Sequence, residues 1–330
     1  MKEEVIVSGR MNENIDPVLQ AWHWEIPTYL FLGGLAAGIL FFAALFYLQG
    51  NDSKYRTAVK IAPFIVPIAL ALGLFALFLD LTHKLYFWKL YTTIKFESPM
   101  SWGAWVLMII TPLSIMWILS YSQELFDHWK LNYPKVYKRF KWVEKLMFKW
   151  KNVRDFYSWI GTQRKIIAWV MLIMAIVLGV YTGILLSAFN ARPLWNTSVL
   201  GMLFLVSGLS TGAATVMWLS KNEVERKLLS RIDLILIIIE LFLIVHMFMG
   251  FLAGTQVQIE TANMFLGGDY TLIFWITVVF MGLLLPLLLE FLEYRGYHIP
   301  VYLPAGLIIF GGVMLRIILL EAGQASRYLY

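Results

Sequence analysis

Eight apolar runs, near 26–48, 61–82, 102–122, 165–189, 196–220, 232–253, 271–292 and 301–321, leave this chain little choice of fold. Each is long enough to cross the hydrocarbon of a bilayer as a helix. The short alternating segments of a membrane β-barrel are absent. Soluble domains have no use for this much apolar surface: 60% of the 330 residues are hydrophobic, 15% are charged and the mean hydropathy is +0.70. The expectation is an all-α membrane protein with eight transmembrane helices. Pro63, Pro67, Pro112, Pro286 and Pro304 lie in or at the start of these spans, where neighbouring helices can satisfy the freed carbonyls.

Lys and Arg orient the chain. The loops 49–60, 123–165, 221–231 and 293–300 carry 19 of the 27, and the termini with the alternate loops carry 7, leaving Arg316 inside a span. The positive-inside rule puts the first set in the cytoplasm and both termini outside. The net charge of +6 thus belongs to membrane orientation and calls for no nucleic acid partner. Residues 1–25 read as an outer tail, 26–122 as the first three helices, 123–164 as a basic cytoplasmic loop, 165–189 as the fourth helix, 196–321 as the remaining four and 322–330 as an outer tail. Residues 1–21 show no signal-peptide pattern, so the first span is expected to direct insertion. In the long loop Val136, Phe140, Val143, Met147 and Trp150 recur at helical spacing among lysines. That pattern predicts an interfacial helix on anionic membrane lipid.

A weak repeat runs through the spans. Gly34 and Gly38 recur as Gly208 and Gly212, and the same offset carries Pro112 onto Pro286, as a parallel four-plus-four duplication would. Gly33, Gly34 and Gly38 also form a small-residue face for close helix contact.

In the predicted topology, polar groups of the first four spans meet at one depth beneath the outer surface. They are His23, Glu25 and Tyr29; Asp80, His83 and Lys84; Ser98 and Ser101; and Tyr181, Thr182 and Ser187, ringed by Trp22, Trp24, Phe87, Trp88 and Trp102. An apolar pocket with a few polar groups, reached from lipid, suits a quinone head group. Its two carbonyls need donors, and its redox step needs a proton route to water. Tyr181 with either Tyr29 or His23 would bind the carbonyls, and Asp80 with His83 would move protons. The plainer alternatives are an aromatic belt and an Asp80 ion pair with His83 or Lys84.

A second polar set comprises Glu240, His246 and Arg316 in the last four spans. A Glu240–Arg316 bridge would make Arg316 a structural charge, whereas Glu240 with His246 would form a proton relay; both readings stay open. Zero Cys excludes thiolate-held iron–sulfur clusters and Cys-bound zinc in this chain. Facing His pairs for a b-haem are also missing, so no haem or other metal is expected here.

Asp80-Leu81-Thr82-His83, Phe87-Trp88 and Ser98-Pro99-Met100-Ser101-Trp102-Gly103-Ala104-Trp105 resemble the second-to-third-span signature of the NrfD/PsrC-type polysulfide reductase membrane subunits. Tyr181-Thr182-Gly183-Ile184-Leu185-Leu186 with Arg192-Pro193-Leu194-Trp195-Asn196-Thr197 is similar to the family's fourth-to-fifth-span motif. Gly311-Gly312, Arg316 and Ala322-Gly323-Gln324 resemble its last span. One departure is plain: the family often continues the aspartate motif as Asp-Leu-Gly-Arg-Pro, and here His83 stands where the arginine would be. The resemblance implies two four-helix bundles in a bacterial or archaeal cytoplasmic membrane, with no redox centre in the chain. It implies a menaquinone or ubiquinone site in the first bundle near the outer face, at Tyr29, Asp80, His83 and Tyr181. It further implies a ferredoxin-like iron–sulfur subunit on the outer face and a catalytic, often molybdopterin, subunit beyond it. A secondary transporter and a purely structural membrane mount are the rival classes.

Overall fold

The computed structural model describes residues 22–132, 134–147 and 151–326. Eight helices in it are long and apolar enough to cross a membrane: α1 Glu25–Leu48, α2 Thr57–Asp80, α3 Pro99–Ser120, α4 Arg164–Ser187, α5 Val199–Leu219, α6 Glu223–Leu252, α7 Thr271–Tyr294 and α8 Tyr302–Ala325. The described residues contain no strand. The protein is therefore a multi-pass helical membrane protein.

Two helices organise the packing. α1 touches α2, α4, α5 and α8, and α5 touches α1, α4, α6 and α8. Both are apolar round most of their circumference, as helices enclosed by other helices are. They approach at the repeated glycines. A Cβ on Gly208 would lie 2.8 Å from the Gly34 carbonyl oxygen, and one on Gly212 would lie 2.6 Å from Gly38 Cα. Any larger residue would force the backbones apart. The positions paired by the sequence repeat thus pack on one another. Contacts follow the same pattern: α1 with α2 and α4, and α3 with α4, recur as α5 with α6 and α8, and α7 with α8.

Element ends differ from the sequence expectation for local reasons. α6 begins at Glu223, so most of the expected loop 221–231 is helical. Asn222 caps it, its side-chain oxygen accepting from the Val224 N–H at 3.0 Å, and Glu223 and Glu225 in the first turn complement the helix dipole. α2 begins at Thr57 with a π turn, Thr57–Ile61, before Pro63 and Pro67. Its irregular backbone is satisfied from outside. The Ala58 N–H donates to Glu225 Oε1 at 2.7 Å, and Val59 O accepts from Trp117 Nε1 at 2.9 Å. Glu225 Oε2 accepts from the Ser220 hydroxyl, also at 2.7 Å. α7 likewise winds as a π-helix over Phe274–Leu284, immediately before Pro286. The loop 254–270 contains an unexpected helix, Gln256–Leu266, closed by a capping box at Thr255 and Gln258.

The long loop after α3 forms helices Ser122–Asn132, Pro134–Met147 and Lys151–Thr162; Trp150 of the expected interfacial helix lies outside the described residues. At that end of the bundle Lys60 pairs with Glu124 at 2.7 Å and Asp52 at 3.8 Å, and Arg164 reaches Glu124 at 3.5 Å. Both cations lie over the Tyr121 ring. Burial raises the Tyr121 phenol pKa, against the opposing charge of Arg164.

The opposite end is closed by the motifs around Arg192 and Gln324. Arg192 donates to the carbonyls of Gln324 and Ser326 at 2.9 and 2.8 Å. The Gln324 side chain exchanges two 2.9 Å hydrogen bonds with the Trp22 backbone. Trp195 stacks on Trp22, and its indole fills the space a Cβ on Gly323 would occupy. These residues join the chain before α1, the loop before α5 and the end of α8.

Candidate functional site

Between α1, α2, α3 and α4, at the end of the bundle where α2 finishes, lies a pocket of about 390 Å³. Its walls are apolar, from Leu74, Phe78 and Leu81 of the α2 side to Met100, Ala104 and Leu107 of α3 and Leu185 of α4. The segment 81–98 folds across it as a 3₁₀ turn, Lys84–Tyr86, and a single helical turn, Lys89–Thr92, adding Phe87, Leu90 and Tyr91. Exposed rim residues Phe75, Leu90 and Met100 leave it open to the surroundings.

Two phenols supply polarity on its inner wall. Tyr29 and Tyr181 are 3% and 7% exposed, and their phenols face each other across the pocket wall. The space for Tyr181 is made by Gly103, where a Cβ would overlap the phenol ring and hydroxyl. Tyr29 packs on Gly73 of α2, its ring 3.5 Å from where a Cβ would stand. Glycines on two neighbouring helices thus set where the phenols sit. Tyr91 is a third phenol on the wall; partial burial raises its pKa, so it keeps its proton and stays a donor. It was not legible as a site residue, because a tyrosine in an aromatic-rich loop carries no distinguishing sequence signal.

The other expected residues divide. Asp80, half-buried at the last position of α2, lies beside the pocket and within electrostatic reach of Glu25 and His23. His83 is exposed and lines an adjoining hollow of about 450 Å³, whose wall shares Leu81, Phe87, Leu90 and Met100 with the first. His23 does not line the phenol pocket. It stands on another hollow of about 690 Å³, between the start of α1 and the end of α8, with Phe31, Tyr270 and Glu321. Ser101, Thr182 and Ser187 turn their hydroxyls onto the carbonyls of Thr93, Gly179 and Ile184.

In the second half, Arg316 is fully buried. It donates to Ser207 Oγ at 3.0 Å, Gly312 O at 2.7 Å and Phe204 O at 3.4 Å, and lies over the rings of Phe31 and Phe204. Among the described residues no carboxylate is at ion-pair distance from it. Glu240 is buried too, facing Ser207 and the Arg316 charge, and no direct Glu240–Arg316 bridge forms; Arg316 donates to Ser207 instead. His246 is not brought to Glu240; it stacks on Phe242 on the outward face of α6. Asp233, and Glu290, whose place near the end of its span reads in the sequence as an acid snorkelling to the headgroups, are buried here as well.

Comparison with known proteins agrees with this architecture. Residues 10–326 match the family model described as polysulphide reductase, NrfD. Over 317 residues the chain is 33% identical to protein NrfD of Escherichia coli K12, covering 92% of this chain and 95% of that protein. It is 32% identical over 318 residues to a polysulfide reductase chain of Wolinella succinogenes, covering 92% and 94%. A selenate reductase subunit of Mesobacillus selenatarsenatis is 26% identical over 314 residues, covering 91% and 73%. With eight spanning helices and a family match over almost its entire length, this chain belongs to the NrfD polysulfide reductase family.

Proposed function

We propose that this chain is the quinone-reactive integral membrane subunit of a respiratory oxidoreductase complex, built as two four-helix bundles with both termini outside. The observation that carries the reading is the pair of buried phenols, Tyr29 and Tyr181, on the wall of an otherwise apolar pocket of about 390 Å³. That size and that balance of polarity are those of a small-molecule site. Relatives named as components of polysulfide and selenate reductases support a place in a redox complex.

A quinone bound there supplies two-electron, two-proton carrier chemistry. The chain's own part is to hold, orient and exchange protons. Tyr181 donates to one carbonyl, Tyr29 holds the Tyr181 hydroxyl in orientation, and the apolar walls exclude bulk water from the ring. Tyr91 is placed to donate from the segment that covers the pocket. Asp80 exchanges protons at the rim, and His83 in the adjoining hollow passes them to outer water. Glu25 and His23 face Asp80 and bias its charge. Electrons then pass to or from an iron–sulfur subunit seated over the outer loops, with the molybdopterin-type catalytic subunit beyond it.

Tyr181→Phe tests the reading. Quinol-linked turnover is expected to fall roughly tenfold or more, as loss of one buried donor predicts, with the complex still assembled. Wild-type quinol-linked turnover in an assembled Tyr181→Phe complex would remove Tyr181 from the site.

A further inference from the structure

Far from the phenol pocket, two acids share the interior of the second half. Asp233 of α6 and Glu290 of α7 are 0% and 1% exposed, and their carboxyls face each other. None of their four oxygens has a hydrogen-bond partner among the described residues. The Ser210 hydroxyl of α5, itself 1% exposed and also without a partner there, faces Asp233. Other buried charged groups are better served: Glu225 accepts two hydrogen bonds, and the terminal nitrogens of Arg316 donate three although its Nε has no partner among the described residues. An unpartnered acid pair at this depth needs a ligand.

The surroundings choose which. Glu290 also lines a cavity of about 360 Å³ at the end of the bundle opposite the α1 start, between the beginnings of α6 and α8. The charged and titratable groups around it are Glu223, Arg226, Lys227 and Arg231 of α6, Glu293 and Tyr294 of α7, and Tyr297 and His298 of the following loop. From α5, among the described residues, only the Ser210 hydroxyl faces the pair, and Glu240, two turns further along α6, is the next acid. Arg316 of α8 lies beyond Glu240. Two carboxyls with one hydroxyl offer too few oxygens for a divalent metal ion, and at the mouth three cations outnumber Glu223 and Glu293, which leaves no excess of negative charge to draw one in. A proton meets neither obstacle. It arrives by water or His298 and removes the repulsion between the two carboxylates.

We propose that Asp233 and Glu290 form a proton-binding carboxyl pair, loaded through the basic cavity at the end of the bundle opposite the termini. One carboxyl carries the proton and donates it to the other carboxylate. Ser210 orients Asp233. This site is independent of the quinone reading, since it involves no residue of the phenol pocket.

A hydrophobic carbodiimide adds only to carboxyls that carry their proton, which makes dicyclohexylcarbodiimide the probe. The full-length chain in phospholipid vesicles would be treated across a range of pH and its adducts mapped by peptide mass spectrometry. The expected result is an adduct on Glu290 or Asp233 that falls roughly tenfold per pH unit above its midpoint and ignores added sodium chloride. Glu290→Gln should abolish the Glu290 adduct, and Asp233→Asn, which removes the competing carboxylate, should shift the pH midpoint of that adduct. Protection by sodium ions would replace the proton with a cation site, and labelling of neither residue at any pH would overturn the pair altogether.

Discussion

At the scale of single residues, the site depends on where two phenols are held. Tyr29 and Tyr181 face each other on one pocket wall, so their contributions are coupled. Tyr29→Phe is expected to weaken quinone binding by less than Tyr181→Phe, and the double variant by less than the product of the two, in a titration of bound quinone. Gly103→Ala places a methyl group where the Tyr181 ring lies. It is expected to displace the phenol and reduce quinol turnover while leaving assembly intact, which activity per assembled complex would show. Tyr29 and Tyr181 were legible in the sequence because the topology sets the start of the first run and the last turns of the fourth at one depth, and Asp80 stood out as an acid ending a long apolar run. Asp233 was not, because it is the second residue of the expected run 232–253, where an acid is indistinguishable from an ordinary helix-end charge. The extra turns of α6 placed it inside. Glu290 was missed for a similar reason: an acid near a helix end looks free to reach the headgroups, and only the packing of α5, α6 and α7 shows it enclosed.

At the scale of elements, the glycine repeat proves to be contact chemistry. Gly38→Val would put side-chain atoms against the backbone of α5 at Gly208 and Gly212. Overpacking of this kind costs about 1–3 kcal/mol, and the thermal midpoint in detergent should fall. Glu225 offers a separate test of the irregular α2 start. Glu225→Ala leaves the buried Ala58 N–H without an acceptor, a loss of about 1–3 kcal/mol that should appear as a lower thermal midpoint and faster amide exchange at the start of α2. Helix number was readable from apolar run length alone. The π turn of α2 was not, since it depends on an acceptor and a donor that lie far along the chain, Glu225 and Trp117. The motifs around Arg192 and Gln324, prominent in the sequence, turn out to fasten helix ends and contribute nothing to the phenol pocket.

At the scale of the molecule, function depends on which end faces which compartment. The chain has no cysteine, so single cysteines can be introduced without background. A cysteine at exposed Lys141 is expected to resist a membrane-impermeant maleimide in intact cells and to react after permeabilisation, whereas one at exposed Lys89 should react in both. That outcome would set the phenol pocket at the outer face and the Asp233–Glu290 cavity at the cytoplasmic one. The remaining question is occupancy. A photoreactive quinone analogue, activated in the purified complex and mapped by mass spectrometry, measures it directly. Adducts on the wall formed by α2, α3 and the 81–98 segment, suppressed by excess native quinone, are the predicted result. Competable adducts confined to α5–α8 would contradict it.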